Sequence, residues 1–301
     1  MKLKAIYSLV AVVLITLVSW GQSSKLTKAA APADWKDVDA AMGRAGQDQP
    51  DGTHKFSLPR KDMNVTISGV QVKAGLALGS WVAFAHSGKS DMAMGDLVLA
   101  EDEVGPVMQE LQSGGIDITA LHNHLLGESP RVMYMHIHGM GNAASMAKAI
   151  HAAVAKTKTP EASPASAPPE LDIDTKQVDQ ILGHSGKNNG GIYQVSVPRA
   201  EHIMEAGMAI PNSMGLATAL NFQPTGGGKA AITGDFVLIA KEVNPVIKAL
   251  RENGIAVTAL HSHMLEEQPR LFFMHFWAND DAVKLAKGLR AALDQTASKK
   301  E

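Results

Sequence analysis

Apolar positions along this chain change their period several times, and each change marks an element. Lys2 and Lys4 precede an apolar run from Ala5 to Val18, and the small residues Ser19 and Gly21 follow it. That run is shorter than the roughly 20 residues a membrane-crossing helix needs, so residues 1–21 predict a cleaved secretory signal peptide. Further on, FSLP, VTISGV and SWVAFA read as strands, and DLVLA is an apolar run of the kind found in buried strands. A helix follows, with Pro106 in its first turn and Gly115 at its left-handed end; Pro245 and Gly254 take the same places in a matching stretch further on. ITALHNH then alternates as a strand, a polar turn around Pro130 reverses the chain, and VMYMHIH returns as the second arm of a hairpin. Met146, Ile150 and Val154 recur at helical spacing and predict a closing helix over 143–156.

The same order of patterns recurs. Residues Gly95 to His138 align without a gap on Gly234 to Trp277 at an offset of 139, with 22 identities in 44 positions. Upstream, Pro59-Arg60 matches Pro198-Arg199. Between the copies, residues 157–170 hold four of the 14 prolines among Ala, Ser and Glu, a linker composition. The chain therefore reads as an internal duplication. Its expected organisation is a signal peptide at 1–21, a first domain at 33–156, a linker at 157–170 and a second domain at 171–297. The fold class predicted is α+β, two similar domains, each a mainly antiparallel sheet with helices packed on one face and a core of its own.

Composition narrows the chemistry. The 28 basic and 30 acidic residues leave a net charge of -2, with no basic excess to neutralise phosphates, so nucleic acid is not an expected partner. Cysteine is absent, which excludes disulfides, thiolate nucleophiles, iron-sulfur clusters and an N-terminal lipid anchor on cysteine. No nucleotide-binding motif occurs, so no nucleotide cofactor is expected. Once processed, the chain has no predicted membrane span, and its location is read as periplasmic or secreted.

Seven of the 12 histidines fall in the two hairpins: His122, His124, His136 and His138, then His261, His263 and His275. Strand residues two apart share a face, so each His-x-His pair projects together. With the turn centred on Pro130, His124 faces His136 and His122 faces His138, which gathers four imidazoles; Trp277 replaces the fourth in the second copy. Such donors suit zinc, with copper(II) next. On this reading the first copy holds metal more tightly than the second. Met133 and Met135 point to the opposite face and read as core. In the turns, Glu128 and Arg131, and Glu267 and Arg270, are candidate catalytic or anion-binding residues, though a local ion pair that fixes the turn suits them as well. Asp96 and Asp235, each after a glycine at a strand start, read as turn residues.

The segments GDLVLAEDEVGPVM and GIDITALHNHLLGESPRVMYMHIHG, with their second-copy equivalents, resemble the repeated domain of the LppY/LpqO family of bacterial exported proteins. That resemblance implies export and a duplicated domain, and it implies no particular reaction. Three functions fit the residues: divalent-metal binding through the hairpin histidines, metal-dependent hydrolysis of an anionic substrate, and a non-catalytic role in binding at the cell envelope. The partner expected is a metal ion or a small anionic ligand.

Overall fold

In the first repeat, helix α1 (Lys36–Met42) leads into strands β1 (Gln47–Asp48) and β2 (His54–Pro59) and a small ribbon, β3 (Thr66–Ile67) and β4 (Val70–Gln71). Then come α2 (Ala74–Ala77), β5 (Gly79–Ser87), β6 (Ser90–Ala100), α3 (Val104–Ser113), β7 (Asp117–His122), β8 (Glu128–Ser129), β9 (Val132–Gly141) and α4 (Ala143–Val154). The second repeat runs α5 (Thr175–Leu182), β10 (Lys187–Asn189), β11 (Ile192–Pro198), β12 (Met204–Glu205), β13 (Met208–Ala209), β14 (Ala217–Gly226) and β15 (Lys229–Ile239). It closes with α6 (Ala240–Glu252), β16 (Ala256–His261), β17 (Leu271–Asp281) and α7 (Ala282–Leu293). This computed structural model describes residues 34–87, 90–162 and 167–299. The predicted signal peptide at 1–21 lies outside the described residues, and no described helix is long and apolar enough to cross a membrane.

Each repeat builds a six-stranded antiparallel sheet, in the order β1-β2-β5-β6-β9-β7 in the first and β10-β11-β14-β15-β17-β16 in the second. The orders are equivalent, as the duplication requires. The protein is α+β with seven α-helices among the described residues. Along β6 the side chains divide by parity. Ala93, Leu97 and Leu99 enter a core with Val107 and Leu111 of α3 and Met146 and Ile150 of α4. Met92, Met94 and Val98 point the other way. Both faces are therefore covered, which explains why DLVLA reads as an unbroken apolar run. Met135 belongs to the helix-side core and Met133 packs against it, as expected.

The opposite face is covered by the other repeat. Met92 and Met94 share one cluster with Ile203, Met214, Met264 and Phe273, and Val98 and Tyr134 share another with Ile192 and Ala231. The short helix α2 contributes Leu76 to this second cluster, so not every helix packs with the others. Besides a core of its own, each repeat thus has an apolar face buried against its twin, and both repeats lie in one compact unit. Parity alone could not reveal this, because an exposed face and a face bound to a duplicate carry the same period.

The matched Pro-Arg pairs have a structural reason. Arg60 Nη1 donates to Glu103 Oε2 at 2.7 Å and to the Val98 carbonyl at 2.6 Å, while Nη2 donates to Glu103 Oε1 at 2.9 Å. Arg199 repeats this with Glu242 and the Val237 carbonyl. Each glutamate also accepts a backbone N–H at a strand end, Ala100 at 2.9 Å or Ile239 at 3.0 Å, which fixes where the strand becomes a helix. In the second repeat this clamp starts α6 at Ala240, so Pro245 lies inside the helix and not in its first turn. In the first, a 3₁₀ turn at Glu101–Glu103 precedes α3. The predicted ends hold: Gly115 and Gly254 have φ of 73° and 72° just past α3 and α6.

Candidate metal centre

The hairpin strands β7 and β9 pair antiparallel, with Ala120 opposite His136 and His122 opposite Tyr134. This register differs by four residues from the predicted one, because β7 ends at His122 and the longer connection to β9 moves the turn; a bulge between Ile118 and Ala120 lies further along the pair. An even shift keeps every side chain on its face. His122, His124 and His136 still meet, at ring-centroid separations of 5.0 Å from His122 to each of the others. His138 instead lies opposite Asp117, further along the strand, and forms no ring contact with the other histidines. The expected four-imidazole set is therefore corrected to three. Their companion is Asp96, which lies opposite His136 within β6 and is a buried strand residue, not the turn residue its neighbouring glycine suggested.

The second repeat gives the same set: His261, His263 and His275, with centroids 4.9 Å apart from His261 to each of the others, and Asp235 opposite His275. Trp277 packs at the edge of an inter-repeat cluster. The expected difference between a four-histidine and a three-histidine copy thus has no basis in the geometry.

Both sets lie on the faces that the repeats turn to each other, so they meet. His122 stacks on His261 at 3.5 Å, His124 on His275 at 3.6 Å and His136 on His263 at 3.6 Å. At the offset of 139 the first pair maps onto itself and the other two exchange, an approximate twofold relation between the repeats. Tyr134 flanks His124 at 3.5 Å, as Phe273 flanks His263 at 3.6 Å. Thr258 Oγ1 donates to the His124 carbonyl at 2.6 Å, a further tie across the repeats.

In the second repeat one ring nitrogen lies close to two others. His261 Nε2 lies 2.9 Å from His263 Nε2 and 3.2 Å from His275 Nε2. Ligands on a tetrahedral ion at 2.0–2.1 Å stand about 3.3 Å apart, close to these spacings. The Gly234 carbonyl accepts from His275 Nδ1 at 2.8 Å, which leaves the Nε2 lone pair of the neutral ring free, the support commonly given to a metal-bound imidazole. Asp235 Oδ1 is 3.9 Å from His275 Nε2, and Asp96 Oδ1 is 3.8 Å from His136 Nε2. Asp96 Oδ1, Asp235 Oδ1, His124 Nε2, His136 Nε2 and both nitrogens of His122 are buried without a hydrogen-bond partner.

Burial sets the protonation of these groups. It pushes His122 down to about 4, His275 to about 3 and His261 to about 2. His124, His136 and His263 are driven well below their ordinary value by burial and by one another's charge. Burial also raises Asp96 to about 8, against the pull of Lys55, and raises Asp235 well above the usual carboxylate range. At neutral pH the imidazoles are unprotonated donors. One asymmetry stands beside them: Lys55 Nζ lies 4.2 Å from the Trp81 ring, near Asp96, whereas its counterpart is the uncharged Gln194.

The family model described as Domain of Unknown Function (DUF1259) matches residues 36–156 and again 176–295. The chain belongs to the DUF1259 family. Its two DUF1259 domains thus correspond to the two halves of the histidine cluster. No curated protein matches the sequence. Among solved structures, the trimeric bacterial microcompartment shell protein PduB is similar at a TM-score of 0.22 and 13% identity, over 85% of this chain and 96% of that one. EtuB from Clostridium kluyveri is similar at 0.20 and 9%, over 82% and 90%. Scores this low carry no argument.

The turn candidates of the DUF1259 domains lie outside the donor groups. Glu267 is buried and accepts from the Leu271 backbone at 2.8 Å and from Arg270 Nη1 at 3.1 Å, so in that turn the local ion pair is what forms. Arg131 is exposed, 3.9 Å from Glu101, and Glu128 pairs with Ile67 in a small sheet. The residues that local pattern missed are Asp96 and Asp235. Their signal was a repeated Gly-Asp inside an apolar run, where a charge is out of place unless it has a partner.

Proposed function

We propose that this DUF1259 protein binds divalent metal at the face where its two repeats meet, through His122, His124 and His136 with Asp96, and His261, His263 and His275 with Asp235. The observation that carries the reading is the gathering of six imidazoles and two carboxylates into groups whose ligand atoms lie within 4.8 Å of one another, among rings kept neutral by burial. Imidazoles and a carboxylate suit zinc first, then copper(II). The signal pattern of residues 1–21 supports export, and the motif ALHNHLLGESPR supports a place among the exported LppY/LpqO proteins. A hydrolytic role gains nothing from the turns, since Glu267 is already engaged by Leu271 and Arg270.

The test is metal analysis of the full chain purified without an affinity tag, beside His136→Ala and His275→Ala. Zinc or copper at or above one equivalent, reduced in both variants, is expected. Wild-type protein free of metal, even after dialysis against either ion, removes the proposal.

A further inference from the structure

Building on that metal-binding reading, we infer that the centre takes two ions, one for each repeat, and not a single ion shared between them. The donors number eight, six imidazoles and two carboxylates, and a transition-metal ion of this class takes four to six. They also divide evenly. Ring separations within the first set are 5.0, 5.0 and 6.4 Å, and within the second 4.9, 4.9 and 6.1 Å, and each set has its own aspartate.

The competing arrangement is one ion among His122, His124, His261 and His263, whose ligand atoms also lie within 4.8 Å of one another. That ion leaves Asp96, His136, Asp235 and His275 unused. Asp96 Oδ1, Asp235 Oδ1 and His136 Nε2 would then stay buried with no partner, an arrangement that folded proteins avoid. Two ions engage all four of Asp96, His136, Asp235 and His275, because the remaining donor groups are Asp96 with His124 and His136, and Asp235 with His263 and His275. Charge agrees with this count. Each dication meets one carboxylate, so neither half carries an anion without a cation.

Stoichiometry decides the matter. The full chain is stripped with a chelator and dialysed against zinc, and bound metal per chain is measured. A parallel titration with cobalt(II) follows the visible absorption of the bound ion. Two equivalents are expected, with Asp96→Ala and Asp235→Ala each falling to one. Should those variants fail to fold, His136→Ala and His275→Ala serve instead, each expected to fall to one equivalent because each takes a ligand from one aspartate-centred group and none from the central one. Saturation at one equivalent, unmoved by the substitution on either side, overturns the two-ion centre and leaves metal binding intact. No uptake at all overturns both.

Discussion

His122 has both ring nitrogens buried and unpartnered, a condition a neutral imidazole tolerates and an imidazolium does not. In the unfolded chain these rings titrate near 6.5, and in the folded chain lower, so the unfolded state takes up the extra protons as pH falls. The metal-free protein therefore has its full stability from this source above about pH 6.5. It loses that stability progressively below, through the folded values near 4 for His122 and 3 for His275. Thermal melts of chelator-treated protein between pH 7 and pH 5 should show the loss, and saturating zinc should reduce it at pH 6. Equal melting temperatures across that range would mean the rings are not buried as described. Asp96 has the opposite sign. Its carboxyl titrates at 3.8 unfolded and about 8 folded, so its contribution is complete below about pH 4 and is lost as pH rises through 8. Asp96→Asn should flatten the alkaline limb of the metal-free melt, and a limb that persists unchanged would acquit this carboxyl.

At the scale of elements, the clamp between Arg60 and Glu103 and its twin between Arg199 and Glu242 join a strand end, a helix start and the segment after the last helix. Glu103 accepts from the Lys158 backbone and Glu242 from Ala297, each at 2.9 Å. Removing one partner leaves a buried charge alone, so Glu242→Ala should cost about 3–5 kcal/mol in a denaturant titration, with little change when the exposed Glu252 is replaced instead. Gly234 serves another purpose. A Cβ there would stand 1.8 Å from the Ala219 carbonyl oxygen, so Gly234→Ala must part β14 from β15 and move the carbonyl that orients His275. A destabilisation of about 1–3 kcal/mol is expected, with weaker zinc binding in the same variant by calorimetry. Undiminished binding would make the His275 tie dispensable. These elements were largely legible beforehand: alternation gave the hairpins, Gly115 and Gly254 gave the helix ends, and an even register error left His122, His124 and His136 on one face. What was not legible was non-local. The clamp that sets the start of α6 spans 43 residues, and nothing near Asp96 in the chain discloses the strand carrying His136 beside it.

For the molecule as a whole, the decisive contacts are those between repeats, which no single-repeat pattern could display. Met92 and Met94 need Met214, Met264 and Phe273 to cover them, and His136 needs His263. A chain limited to residues 33–156 bares that whole face, and we expect it to self-associate, replacing its missing twin with a copy. Sedimentation equilibrium checks this, and a monomer as stable as the full protein would refute it. The stack of His122 on its own counterpart His261 has a historical consequence. A centre placed on the line that exchanges two repeats must have stood, before the gene doubled, at the seam of a homodimer, and such a seam assembles only where the ancestor was abundant. Joining the copies through residues 157–170 turns that encounter into one within a single chain, at an effective concentration of roughly millimolar. Assembly then no longer depends on how much protein the cell makes, and each half is free to diverge on its own side, as Lys55 and Gln194 already have.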